Sequence, residues 1–351
     1  MNAANPVVPD DDESTREVKH ARSRFAQWLA ACLVITALLT AGSLVVGTSS
    51  IRTSLAWLLS PDALSSNVLW NVRLPRAIGA WFTGALLGLG GAIAQGLFRN
   101  PLAEPYLLGS ASGAALGVTI GLMATASSLS SLAFAGEIGV TGTAFIGAFA
   151  AVALTLTLSR GVLQTASLLL AGIVVAFLLS AVTSLLLLSS PETWRAMQVF
   201  LLGSTGLLGW QSTVLLSTAL IICVVPTLLL SRGLEALTLG EETAASLGVS
   251  LPVLRISLLV ILSLATATSV AQSGIIGFVG LVAPHLVRES LPVTQRQMLI
   301  AAPLCGGALL QAADLASRWV IRPAELPVGV VTACLGGSYL VVLLWRRARN
   351  A

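Results

Sequence analysis

The chain has almost no lysine. Lys19 is the only one, and every other basic side chain is an arginine. A nucleotide-cradling P-loop ends in Gly-Lys-Ser/Thr and uses that lysine on the phosphates, so no such loop exists beyond residue 19. Charge of either sign is scarce, at 10% of residues against about 25% in soluble domains. Histidine is limited to His20 and His285, and the four cysteines, Cys32, Cys223, Cys305 and Cys334, stand far apart within apolar stretches. Zinc sites and disulfide frameworks need such residues in pairs or clusters at short spacing, which argues against metal chemistry. The cysteines read as small core residues, and a nucleophile–base constellation for an enzyme is short of parts.

Apolar residues fill the space instead. They make up 56% of the 351 residues, and mean hydropathy is +0.90. A helix needs about 20 apolar residues to cross the hydrocarbon core. Spans are predicted near 27–47, 77–98, 106–125, 138–158, 166–189, 207–230, 253–272, 275–290, 298–316 and 328–345, which makes an all-α membrane protein with ten crossings. The eighth is the shortest, with a purely apolar part from Ile275 to Val287, and the preceding polar pair Ser273-Gly274 is its turning point. Residues 1–25, with an acidic run at Asp10–Glu13 followed by Arg16, Lys19, Arg22 and Arg24, read as a disordered cytoplasmic leader. They are not a signal peptide, because the apolar run from Trp28 to Gly47 is too long for one and carries no clear cleavage site. Residues 26–347 then form one transmembrane domain.

Arginine placement orients it. With both termini inside, the cytoplasmic face holds Arg16, Lys19, Arg22, Arg24, Arg99, Arg160, Arg232, Arg255, Arg288, Arg296, Arg346, Arg347 and Arg349. The outer face keeps Arg52, Arg73, Arg76, Arg195, Arg318 and Arg322. This obeys the positive-inside rule, so a pI near 9.2 reports topology rather than nucleic-acid binding. The spans themselves are rich in small residues: Gly109, Gly113, Gly117 and Gly121 recur at every fourth position, as do Gly84 and Gly88. Small faces let helix backbones approach closely in lipid, where no hydrophobic drive exists between helices.

Three breaks between spans differ from ordinary loops. Gln95 to Gly109 contains Pro101, Glu104 and Pro105, which interrupt the helical ladder and force a bend, with Glu104 placed to cap the helix that follows. Gly233 to Leu251 is the longest polar insertion and reads as two short helices hinged at Gly240 and stopped at Gly248. An exposed apolar edge on such a pair suits a partner's surface. An amphipathic helix lying on lipid is the competing reading, disfavoured because Glu241-Glu242 would be repelled by anionic headgroups. Gly277 to Arg288 carries His285, and an isolated histidine reads as structural, since proton relays in membranes need partnered groups.

These breaks, in this order, resemble the FecCD-type permease subunits of ABC importers for ferric siderophores, haem and vitamin B12. The likeness is carried by Arg73-Leu-Pro-Arg76, Asn100-Pro-Leu-Ala-Glu-Pro105 with Leu108-Gly109, Leu239-Gly240 with Ala244-Ala245 and Leu247-Gly248-Val249, Gly277-Phe-Val-Gly-Leu-Val-Ala-Pro-His285, Ala313-Asp314, and Glu325-Leu-Pro-Val-Gly-Val-Val-Thr332. It runs from about residue 28 to 347. Two places depart from the family pattern: Phe200 stands where a tryptophan is usual, and Gly336-Gly-Ser-Tyr-Leu340 lacks the usual proline and phenylalanine.

The resemblance implies ten helices per subunit and a homodimer with the translocation path on its two-fold axis. It implies two ATP-binding subunits inside, a periplasmic binding protein outside, and residence in the bacterial inner membrane. ATP is bound by the partner subunit, so the chain has no cofactor of its own. Residues 233–251 become the coupling helices, with Leu239, Gly240, Ala244, Ala245, Leu247, Gly248 and Val249 seated on the ATPase. Arg73, Arg76 and Arg318 match positions that pair with acidic residues of the binding protein. Arg195, before the sixth span, either meets anionic cargo such as haem propionates or caps the preceding helix, whose C-terminus favours a cation. Ferric siderophore is the first expectation for cargo, haem the next, and vitamin B12 the alternative. An ion-driven secondary transporter would need ionisable groups near the midplane, whereas Glu104, Asp314 and Glu325 sit at predicted span ends.

Overall fold

The computed structural model describes residues 11–46, 63–126, 133–159, 165–321 and 323–350; Arg52, Arg160 and Arg322 lie outside them. Within these residues the elements are all helices, joined by short connections, with no strand. The first helix, α1, runs Asp11–Val45, followed by α2 (Ala63–Val68), a π-helical turn at Leu69–Arg73, and α3 (Leu74–Phe98). After a 3₁₀ turn at Pro105–Leu108 come α4 (Ser110–Ala126), α5 (Ala133–Leu158), α6 (Thr165–Leu188), α7 (Pro191–Leu202) and α8 (Trp210–Leu229). The chain ends with α9 (Ser231–Thr238), α10 (Glu241–Ser246), α11 (Leu251–Ser273), α12 (Val279–Ser290), α13 (Gln295–Trp319) and α14 (Val328–Asn350).

Eight of the described helical runs are long and apolar enough to cross a membrane; α4 is a shorter apolar helix, and α12 has twelve residues. Local sequence explains the ends. Pro252 occupies a first-turn position of α11, where the missing N–H costs nothing, while Pro75 follows the π-helical turn inside the continuous helical run Ser65–Phe98. Thr294 and Gln297 close a reciprocal capping box on α13, which satisfies two otherwise orphaned backbone donors.

The centre of the molecule is α3, buried on nearly every side. Its Leu86, Leu89, Ile93 and Leu97 pack with Leu258, Leu259 and Leu262 of α11 and Leu299 of α13. Glycine lets the backbones meet. A Cβ on Gly84 would fall 2.3 Å from the Gly306 carbonyl oxygen of α13, and one on Gly117 would fall 2.0 Å from the Thr143 carbonyl of α5. Phe177, Leu188, Ile221 and Leu229 point outward, as lipid-facing positions should.

The α1 helix begins at Asp11, inside the segment 1–25 read as a leader, whose first ten residues lie outside the described ones. In two places the structure departs from the sequence reading. The α7 helix was not anticipated. It starts where Ser190 accepts a hydrogen bond from the Thr193 N–H, with Pro191 at the first position and Glu192 in the first turn. The eighth span is helical only from Val279, because Gly274 and Phe278 adopt positive φ of 71° and 68° and hold Ile275–Gly277 outside any helix.

Irregular backbone inside a membrane protein must find partners, and here it does. The Ile275 N–H donates to the Phe200 carbonyl (3.0 Å), the Ser204 N–H to Ser273 (2.8 Å), and the Tyr106 hydroxyl to Ile276 (3.1 Å). Glu104 completes the set, accepting from the Phe278 N–H at 3.1 Å. It therefore caps α12 across the bundle rather than the helix that follows it, which starts without a side-chain cap from Glu104. The first and third unusual breaks thus meet.

Candidate functional site

The expected hinge is present at the end that carries most of the arginines. Between α9 and α10, Gly240 has φ 121°, and after α10 Gly248 has φ 80°. One side of the pair is sealed into the bundle: Leu234, Leu237 and Ala244 have no exposed surface, and Leu234 packs on Gly96 of α3. The other side faces out, with Leu239 68% and Leu247 64% exposed. Ala245 is exposed too, and half-buried Val249 closes the turn by donating its N–H to Ala244.

Polar contacts that sequence reasoning missed fix this pair to three other helices. Glu235 accepts from the Gln295 N–H at the start of α13 (2.7 Å). Glu241 Oε1 lies 2.5 Å from Arg255 Nη2 near the start of α11 and 3.8 Å from Arg99 Nη2 at the end of α3. Arg255 is buried, so its charge is compensated where water does not reach. The available signal was an acid–arginine pair on either side of a helix start, Glu241 and Arg255.

At the opposite end Arg73, Arg76 and Arg318 come together, but inside the chain. Arg76 places Nε and Nη2 at 3.1 and 3.0 Å from Asp314 Oδ1, and its Nη1 at 2.9 Å from Glu325 Oε2. Arg318 Nη2 meets Asp314 Oδ2 at 2.6 Å, and its Nη1 donates to the carbonyls of Ser43 and Val46 at 3.2 and 2.9 Å. Arg73, on the π-helical turn, donates to the Leu44 carbonyl at 2.5 Å, and Thr205 donates to Asp314 at the same distance. Arg73 and Arg318 are 6% and 3% exposed. Forks presented to a partner would be open to water. These three clamp the ends of α1, α3 and α13, and any contact with a docking protein would replace an internal one.

Arg195 lies exposed on α7, beyond the end of α6 at Leu188. It does not cap the preceding helix, because the Ser189-Ser190 break separates them. The same short helix contributes Ala196, Val199 and Phe200 to an open cavity of about 650 Å³, whose wall also includes Ser204, Ser212 and Gln272. His285 is buried, with Nε2 3.5 Å from Glu289 Oε1 and its ring edge-on to Tyr339. No cluster of three His, Cys, Asp or Glu side chains suited to a metal occurs among the described residues.

Comparison with known proteins gives a consistent result. A family model described as the FecCD transport family matches residues 32–346. The hemin transport system permease protein HmuU of Yersinia pestis is 39% identical over 318 residues, covering 90% of this chain and 94% of its own. The ferric enterobactin transport system permease protein FepG of Escherichia coli is 37% identical over 284 residues, 81% of this chain and 84% of its own. The vitamin B12 import system permease protein BtuC of Salmonella arizonae is 34% identical over 335 residues, 94% of this chain and 98% of its own. Among solved structures, an inward-facing conformation of a metal-chelate type ABC transporter superposes with a TM-score of 0.79 at 29% identity, over 92% of this chain and 99% of that one.

Proposed function

Because the chain belongs to the FecCD transport family, we propose that two copies form the membrane path of an importer for an iron chelate, driven by two separate ATP-binding subunits. Membership makes it a multi-pass protein of the bacterial inner membrane and a permease of the metal-chelate ABC importer type. Hydrolysis of ATP belongs to the partner, in keeping with a sequence that offers no P-loop lysine. The eight long helices, with α4 and α12 as two shorter crossings, support ten passages per subunit.

The observation that carries the proposal is the helix pair α9–α10. It buries Leu234, Leu237 and Ala244, yet leaves Leu239 and Leu247 bare on the side away from the bundle. An isolated exposed leucine needs no explanation; two beside one hinge, on an element too polar to enter lipid, suit the seat of a soluble subunit. We assign Leu239, Gly240, Ala245, Leu247 and Gly248 to that seat, with Ala244 and Val249 supporting it from below. A periplasmic binding protein docks at the opposite end, on the surface that Arg73, Arg76 and Arg318 brace from within. Arg195 is assigned to the cargo route because it shares α7 with Ala196, Val199 and Phe200, which wall the mostly apolar cavity, and its charge suits an anionic chelate. Ferric siderophore or haem fits that description; vitamin B12 is the second reading, favoured by the relative that covers 94% of the chain.

The test is Leu247→Asp. The side chain is exposed, so the variant inserts normally, while co-purification with the ATP-binding subunit, and ATP-dependent uptake of whichever of ferric enterobactin, haemin and cobalamin the wild type carries, fall at least tenfold. An intact complex from this variant would move the ATPase seat elsewhere. Uptake of only one of the three chelates by the wild type identifies the cargo.

A further inference from the structure

The α10 helix has six residues and a glycine at positive φ on each side, Gly240 at 121° and Gly248 at 80°. Backbone hydrogen bonds fix both turns, Gly240 N–H to Leu237 at 3.1 Å and Gly248 N–H to Ala245 at 3.0 Å, but these bonds stay within the short pair. A push by a soluble subunit on Leu239 and Leu247 reaches the membrane helices only through contacts that leave the pair. The shortest side-chain tie is made by Glu241, in the first turn of α10: its Oε1 lies 2.5 Å from buried Arg255 near the start of α11, with exposed Arg99 at the end of α3 further off at 3.8 Å.

We propose that Glu241 is the positioning residue that couples the seat of the ATP-binding subunit to the membrane path, by pinning α10 to α11 and α3 through Arg255 and Arg99. Charge-assisted guanidinium–carboxylate pairs are short, directional and about twice as strong as neutral hydrogen bonds. The pair sits on buried Arg255, 5% exposed in its side chain, where a short ion pair is weakly screened by water. The helices it grips are the ones that matter. The α3 helix is the buried centre of the bundle, and α11 runs from Arg255 to Ser273 and Gly274, which line the open cavity beside α7. Displacement of α10 is thereby delivered to the cavity wall through one rigid helix. Glu235 supplies a second tie, to the α13 N-terminus, which keeps α9 from yielding when α10 is pushed. Neighbouring Glu242 is exposed and serves as the control.

This inference rests on the α9–α10 pair being the ATPase seat, and the experiment separates the two claims. The full chain in its complex with the ATP-binding subunit is placed in lipid nanodiscs. Backbone hydrogen exchange over Leu251–Leu259 is compared with and without MgATP and vanadate. In the wild type and in Glu242→Gln, nucleotide trapping changes exchange at the start of α11. In Glu241→Gln the complex still assembles and hydrolyses ATP, but that change falls to less than a third. Reversing the pair, Glu241→Arg with Arg255→Glu, restores at least half of it, which a purely local packing defect would not allow. A full nucleotide response in Glu241→Gln overturns the proposal. So does loss of complex assembly in Glu241→Gln alone, which would make Glu241 part of the seat. Failure of the wild-type chain to bind any ATP-binding subunit would overturn the seat itself, and the coupling role with it.

Discussion

Asp314 is the residue on which the outer end of the molecule turns. It is 1% exposed and receives Arg76, Arg318 and Thr205. Two guanidiniums held around one carboxylate are tolerable only while that carboxylate is ionised and in place. Removing one partner of a buried pair costs about 3–5 kcal/mol, because the remaining charge is stranded. Asp314→Asn should therefore lower the thermal midpoint of the purified chain and its inserted yield, measured by fluorescence-detected gel filtration. Arg73→Glu with Arg76→Glu should do the same, since both side chains anchor neighbouring helices. A double variant that inserts and melts like the wild type but fails to bind the binding protein would show that these arginines serve docking first. The sequence made Arg73, Arg76 and Arg318 visible as exceptions to the positive-inside bias. It could not show their partner, because Asp314 lies 238 residues from Arg76 and no local spacing encodes that meeting.

Elements were legible where a long apolar run or a helix breaker marked them, and obscure where tertiary contacts set the boundary. The hinge at Gly240 and the stop at Gly248 appear at the expected residues because glycine is the cheap way to positive φ. The α7 helix was missed because twelve residues with mixed polarity give no span signal, although Ser190, Pro191 and Glu192 spell a helix start. The start of α12 was misplaced because Ile275–Gly277 is apolar enough for helix; positive φ at Gly274 and Phe278, and cross-bundle bonds to Phe200, Tyr106 and Glu104, hold it open. Close approach at the α3–α13 crossing gives a test at this scale. A side chain on Gly84 would collide with the Gly306 backbone, and backbone cannot step aside as a flexible side chain does. Gly84→Leu should abolish monodisperse expression. Gly139→Ala, where a new Cβ meets nothing within 4 Å, should leave it intact.

At the scale of the whole molecule, the arrangement of charge argues for an external energy source. Arg99, Glu241 and Arg255 gather at one end, and Arg73, Arg76, Asp314 and Arg318 at the other. Between them, Glu104 and His285 are drawn into the bundle, and both have structural contacts. Glu104 accepts from the Phe278 N–H, where a positive φ leaves the backbone in need of a fixed partner. His285 packs against Tyr339 and Glu289. A proton-driven carrier would rely on such groups to take up and release protons as it cycles. A structural cap needs only an acceptor oxygen, which glutamine also provides. Glu104→Gln and His285→Gln should therefore keep uptake within about threefold of the wild type, since neither replacement removes a needed shape. In proteoliposomes the wild type and both variants should require ATP on the side of the ATP-binding subunit, and collapsing the proton gradient with a protonophore should leave uptake unchanged. Loss of uptake in Glu104→Gln with ATP hydrolysis intact, together with sensitivity to the protonophore, would mean that this carboxylate carries protons and that the ATP-driven reading of the chain is incomplete.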